Sequence, residues 1–129
     1  MTRRAKDLTN AELDFLDERH LATLTTLRGD GSPHVVAIAF TFDRADGIAR
    51  IITSDGSQKV RNVERSPLVA VSQVDGRRWL TLEGRGTVRR QPDRVARAVA
   101  RYETRYRPVS ENPRRVAIEI VVDRVLGRA

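Results

Sequence analysis

The first patterned stretch of the chain has a helical period. Thr9-Asn10-Ala11-Glu12 is a capping box, a hydroxyl followed three residues later by a glutamate. Leu13 and Leu16 then share a helical face with Phe15 beside them, which predicts a short helix from about residue 10 to 18. Beyond it the pattern changes to that of strands. Leu21 to Leu27, rich in Leu and Thr, predicts the first strand. Arg28-Gly29-Asp30-Gly31 predicts a hairpin turn. Pro33 to Phe42 predicts a second strand, and its near-continuous apolar run predicts cover on both faces. Asp43 to Gly47 is a polar turn, and Ile48 to Thr53 a third strand.

Ser54 to Gln58 predicts a loop, and Lys59 to Arg65 one or two helical turns stopped by Ser66-Pro67. Leu68 to Val74 predicts a fourth strand, Asp75-Gly76 a turn, and Arg77 to Arg89 a long fifth strand. Gly84 and Gly86 inside that strand predict a bulge or bend. Pro92 suits the first turn of a helix. There Val95, Val99, Tyr102 and Tyr106 recur at helical spacing, while Arg94, Arg97, Arg101 and Arg105 line another face, up to Pro108. Val116 to Val125, alternating with Glu119 and Asp123, predicts a sixth strand. Six strands joined mostly by tight turns predict a mainly β protein, an antiparallel barrel with peripheral helices.

A length of 129 residues suits one domain spanning 1–129, with no repeat and no linker. Apolar residues make up 40% and charged residues 32%, the balance of a soluble globular chain. No apolar run approaches the roughly 20 residues of a membrane span, and the polar start, Met1 to Asp7, leads into no signal-peptide core. The expected compartment is the cytoplasm, with no membrane contact. There is no cysteine, which excludes disulfides, thiolate catalysis and cysteine metal sites, and His20 and His34 are the only histidines, so no metal is expected.

Charge sharpens the picture. Lys and Arg number 24 against 17 Asp and Glu, a net charge of +7 that favours anionic partners. Aromatics at 5% and the lack of a recognised module argue against nucleic acid. The only lysines are Lys6, in a start expected to be mobile, and Lys59, in a polar turn where a compact ammonium can meet a phosphate. Gly84-Arg85-Gly86 lacks a third glycine and opens no helix, so it is not a dinucleotide fingerprint. Nothing pairs a serine with a histidine and a carboxylate, and no catalytic side chain is singled out.

The segments "ERHLATLTTLR", "SPHVVA", "GSQK", "SQVDG.RWL.LEGR" and "NPRRV.IE", in this order, resemble the pyridoxamine 5′-phosphate oxidase-like superfamily. Within it the chain is most similar to the flavin/deazaflavin oxidoreductase B group, and there to mycobacterial deazaflavin-dependent biliverdin reductases. The resemblance covers nearly the whole chain. It implies an FMN-binding split-barrel fold, here six-stranded, and a homodimer with its cofactor at the interface. It implies coenzyme F420 as cofactor, with FMN as the alternative, and an anionic acceptor such as biliverdin. The longer relatives' C-terminal segment for pyridoxamine phosphate is not found here.

The same resemblance gives residues roles. Lys59 would hold the cofactor phosphate, assisted by Thr53, Ser54, Ser57 and Gln58. His34, Val35, Val36 and Ala37 match the strand under the flavin or deazaflavin ring. Gln73 and Trp79 match the strand pair that reaches the neighbouring subunit's cofactor, and Trp79 equally suits core or dimer packing. Arg61, Arg78 and Arg85 are candidates for acidic tails or propionates, or plain surface arginines. A non-catalytic F420- or tetrapyrrole-binding protein on the same frame is the remaining alternative.

Overall fold

The computed structural model describes residues 2–129; Met1, at the head of the polar start, lies outside them. Three helices and seven strands follow in the order α1 (Asn10–Asp17), β1 (Ala22–Leu27), β2 (Pro33–Ile38), β3 (Thr41–Asp43), β4 (Ile48–Ser54), α2 (Gln58–Arg65), β5 (Leu68–Asp75), β6 (Arg78–Arg89), α3 (Pro92–Arg105) and β7 (Arg115–Arg128). The predicted capping box opens α1: Glu12 N–H donates to the Thr9 hydroxyl at 3.1 Å, and Thr9 N–H to the Glu12 carboxylate at 2.9 Å. Arg3, in the start expected to be mobile, is bonded to the last strand and to α1. Val125 N–H donates to the Arg3 carbonyl at 2.9 Å, and the Arg3 guanidinium reaches Glu12 and the Gly127 carbonyl.

All strands lie in one antiparallel sheet, ordered β2-β1-β5-β6-β7-β4-β3. The count is seven, not six, because Pro33 to Phe42 is two strands. β2 pairs with β1 at one edge and β3 with β4 at the other, so the chain crosses between the edges through Ala39 and Phe40. The sheet is therefore not closed by a ladder. At the crossing, side chains from the end of α3 satisfy the backbone instead. Phe40 N–H donates to the Tyr106 hydroxyl at 3.3 Å, and the Arg105 guanidinium donates to the Phe40 carbonyl at 2.5 Å. Tyr106 in turn donates to the His20 carbonyl at 2.7 Å, which ties the split to the strand before it.

The inner face of the curved sheet holds the core, with Leu24, Val71, Leu80, Leu82, Ile118 and Ile120 almost fully buried against Phe15 and Leu16 of α1 and Val60 and Val63 of α2. The bend this requires sits where the glycines predicted it. The β6–β7 register shifts between Glu83 and Gly84, and a Cβ on Gly84 would lie 2.1 Å from the Val121 carbonyl oxygen. The outer face is a different surface. Thr25 pairs with Val35 and Ala70, Val74 with Trp79, and Thr81 with Leu126, so these side chains share one side of the sheet. Val35 is 57% and Val74 63% exposed there. The cover expected on both faces of β2 is thus not supplied within one chain.

Helix α3 docks through its arginines. Ala98 is its only buried residue, whereas Val95, Val99 and Tyr102 stay half-exposed. Arg94 meets Glu119 at 2.8 Å and Arg101 meets Asp43 at 3.0 Å. Both carboxylates are buried, and buried Arg50 lies between them, 3.2 Å from Asp43 and 3.7 Å from Glu119. Glu119 had the pattern of a solvent-facing strand position; it is instead the anion under α3, and Arg89 also reaches it at 3.0 Å.

Candidate functional site

A cleft of about 390 Å³ opens where the end of β2, the end of β4, the first turn of α2 and the face of α3 converge. Each contributes for a local reason. The chain turns at Ser54 to Gly56, where Gly56 takes φ +81. Ser57 then enters α2 as its N-cap and carries Lys59 into the first turn. Lys59 shares the cleft with Thr53, Ser54 and Ala37, as the sequence led us to expect. It is half-buried, and burial alone pushes its ammonium pKa below the usual lysine value.

The cleft also contains residues that sequence reasoning missed: Arg115 and Asn112 at the head of β7, and Tyr102 from α3. Ser54 and Arg115 are register partners on β4 and β7, and Asn112 donates to the Ser54 hydroxyl at 3.0 Å. The segment carrying Asn112 and Arg115 was visible as a motif, but β7 lies about sixty positions from Lys59 in sequence and only the β4–β7 ladder joins them. Lys59 and Arg115 have no carboxylate partner among the described residues, whereas Arg89, Arg90, Arg94 and Arg101 all do. Ser57, the N-cap of α2, does not itself line the cleft; its hydroxyl is buried two residues before Lys59 and makes no hydrogen bond. Two uncompensated cations and an orphaned hydroxyl at a helix head suit a phosphate. The small side chains of Ala37 and Ala39 leave room along the β2 end for a flat ring.

Other expected residues are placed elsewhere. Side chains alternate along β2, so His34, Val35, Val36 and Ala37 do not present one surface, and Ala37 alone of the four lines the cleft. His34 pairs with Thr26, and its Nδ1 is buried without a partner. Gln58 donates to Asn62 at 2.7 Å and accepts from Arg61 at 2.7 Å, so neither faces the cleft. Gln73 is fully buried; its amide donates to the Phe15 carbonyl at 2.9 Å and accepts from Arg105 at 2.5 Å. Its side chain is part of the interior and reaches no surface. Trp79 sits on the outer face of β6, 41% exposed.

The expected arginine rim does not assemble. Arg85 lies 3.6 Å from Asp123 on the outer face. Arg78 holds Glu18 through two bonds of 2.8 and 2.9 Å and Asp75 at 2.5 Å. Those bonds hold the Glu18 carboxyl at about 2, well below its ordinary value. Glu18, His20 and Asp75 converge as metal ligands would, but both carboxylates already share the Arg78 guanidinium. Of the three arginines only Arg61 lacks a carboxylate, and it bonds the Gly56 carbonyl at 2.7 Å.

Known proteins resemble this chain in sequence and in fold. A family model described as pyridoxamine 5′-phosphate oxidase matches residues 8–129. The chain is 58% identical over 122 residues to a protein of Mycobacterium tuberculosis named F420H(2)-dependent biliverdin reductase, covering 95% of this chain and 89% of that one. Among solved structures, one titled F420 reductase superposes with a TM-score of 0.73 at 26% identity, over 88% of this chain and 94% of that one. A conserved hypothetical protein of Mycobacterium tuberculosis does so with a TM-score of 0.77 at 27% identity, over 97% and 87%.

Proposed function

The chain belongs to the pyridoxamine 5′-phosphate oxidase family, and from that premise we propose that it is a homodimeric oxidoreductase that uses reduced coenzyme F420 to reduce an unsaturated, anionic acceptor, with biliverdin the leading candidate. The observation that carries the reading is the cleft at the head of α2 that Lys59 and Arg115 both line, neither with a carboxylate partner among the described residues. The relative named F420H(2)-dependent biliverdin reductase supplies the choice of cofactor and acceptor.

In this reading Lys59 and Arg115 bind the cofactor phosphate as two cations, and the Ser57 hydroxyl donates to it. Thr53 and Ser54 line the same wall. Ala37 and Ala39 leave the ring a floor without bulk, and Tyr102 of α3 closes the side. A bound reduced deazaflavin supplies the hydride. The protein supplies placement, positive charge and exclusion of water.

The test of cofactor choice is a parallel titration with F420 of different tail lengths and with FMN. F420 is expected to bind more tightly. Each added tail carboxylate should contribute only about 0.2–1 kcal/mol through exposed contacts with the basic surface, and the gain should shrink with salt. F420H2 should be consumed on addition of biliverdin. Tight FMN binding with no F420 binding at low salt overturns the cofactor reading and leaves the fold standing.

The homodimer rests on the outer face of the sheet. Val35, Leu68, Val74, Trp79, Val121 and Leu126 are all exposed there, and apolar side chains gathered on one sheet face suit a protein interface. Ala37 belongs to that face and also lines the cleft, so a second copy seated on it would wall the cleft. Light scattering should give twice the chain mass of 14.5 kDa. Val35→Glu with Val74→Glu should yield monomers that bind F420 weakly. A wild-type monomer that binds F420 stoichiometrically sinks the dimer.

A further inference from the structure

The cleft continues past its α3 wall. Ala39 and Tyr102 also line an adjoining hollow of about 330 Å³, which carries Arg19, His20 and Arg107. The two hollows meet at Ala39 and Tyr102, with Lys59 and Arg115 lining one and Arg19 and Arg107 the other.

Both of these arginines are exposed, and neither meets a carboxylate among the described residues. Acids do lie nearby, but they are taken. Glu18 is held by Arg78 at 2.8 Å and by His20 at 2.9 Å, and Asp75 by Arg78 at 2.5 Å. The other polar groups of this region are spent on the sheet's split: Tyr106 on the His20 carbonyl at 2.7 Å and Arg105 on the Phe40 carbonyl at 2.5 Å. Arg19 and Arg107 are thus the two cations left over in this hollow.

A reaction between two anionic molecules needs two places for negative charge, with the reacting parts meeting between them. We propose that Arg19 and Arg107 form a carboxylate-binding subsite for the molecule being reduced, which places its carboxylates away from Lys59 and its unsaturated part near Ala39 and Tyr102. The proposal rests on the reading above that the Lys59 cleft holds the cofactor. It selects an acceptor that carries carboxylates, and two of them most favourably.

The experiment is a binding titration without turnover. Biliverdin, followed by its visible absorbance, is added to protein saturated with oxidised F420. Arg19→Gln and Arg107→Gln should each raise its Kd by about two- to fivefold, the range of exposed ion pairs, while the Kd for F420 stays as in wild type. Arg97→Gln, on α3 but outside both hollows, should change neither. Biliverdin dimethyl ester lacks the charges, so it should bind wild type more weakly and be indifferent to both substitutions. Equal losses for acid and ester would show that the arginines shape the hollow rather than bind carboxylates. That result, an unchanged Kd for the acid, or no biliverdin binding to F420-loaded wild type overturns the proposal. Failure of wild type to bind F420 overturns the proposed function, and this subsite with it.

Discussion

Lys59→Ala is expected to weaken F420 binding by about 1.5–3 kcal/mol, roughly ten- to 150-fold in Kd. The ammonium stands half-buried with no carboxylate to neutralise it, and its pKa is lowered by burial alone. A bound phosphate supplies the missing anion, so the free protein carries an unrelieved cost that the complex removes. Arg115 remains in the variant as a second cation, which is why loss rather than abolition of binding is expected. Lys59→Arg should recover part of the loss, since charge is kept but a planar fork replaces a compact ammonium. Fluorescence titration of F420 at low salt is the measurement, with circular dichroism to confirm the fold. An unchanged Kd takes Lys59 out of the site.

Glu119→Ala should be the most destabilising of the substitutions considered, by about 3–5 kcal/mol, the usual consequence of breaking a buried ion pair from one side. The carboxylate is buried and faces Arg50, Arg89 and Arg94 together. Its removal leaves buried Arg50 with Asp43 alone, and Asp43 is already shared with Arg101. Helix α3 would lose one of the two buried carboxylates that its arginines meet, and Tyr102 in the cleft rides on that helix. Arg94→Ala removes an exposed partner of the same carboxylate and should cost only about 0–1 kcal/mol. Thermal unfolding of the two variants beside wild type tests the contrast. Equal, small shifts would mean that α3 is held by its apolar contacts and not by the arginines.

Much of the fold was legible in local pattern. The capping box at Thr9 and Glu12, the turns at Gly31 and Gly76, and the bulge at Gly84 each depend on residues close in sequence, and each lies where the pattern placed it. Apart from the split of Pro33 to Phe42, strand ends moved by one to three residues, as ladders rather than propensities decide them. Of the cleft, Ala37, Thr53, Ser54 and Lys59 were expected and are together. What misled was one-dimensional periodicity. The run from Pro33 to Phe42 looks like one strand, yet Phe40 gives its backbone to Arg105 and Tyr106. Gln73 looks like a polar reader of a ligand, yet its amide closes the interior between Phe15 and Arg105.

Composition and local pattern were enough for the class of the chain: mainly β with helices between strands, an excess of basic residues, no cysteine, and a lysine set alone in a polar turn. These depend on composition and near-neighbour spacing, which survive in one dimension. Only the tertiary structure decided which charges are free. Ion pairing is a matter of distance in space, and the local pattern of charges along the chain does not say which carboxylate meets which arginine. Folding brought Glu119 beneath Arg50, Arg89 and Arg94, and put Arg78 on Glu18 and Asp75. It left Lys59 and Arg115 facing one hollow and Arg19 and Arg107 facing the next. An attraction between unit charges falls with separation and with screening, so a cation already within 3 Å or so of a carboxylate has little left to offer a ligand. The cations without such a neighbour retain it, and their identity is set by the sheet's long-range pairing.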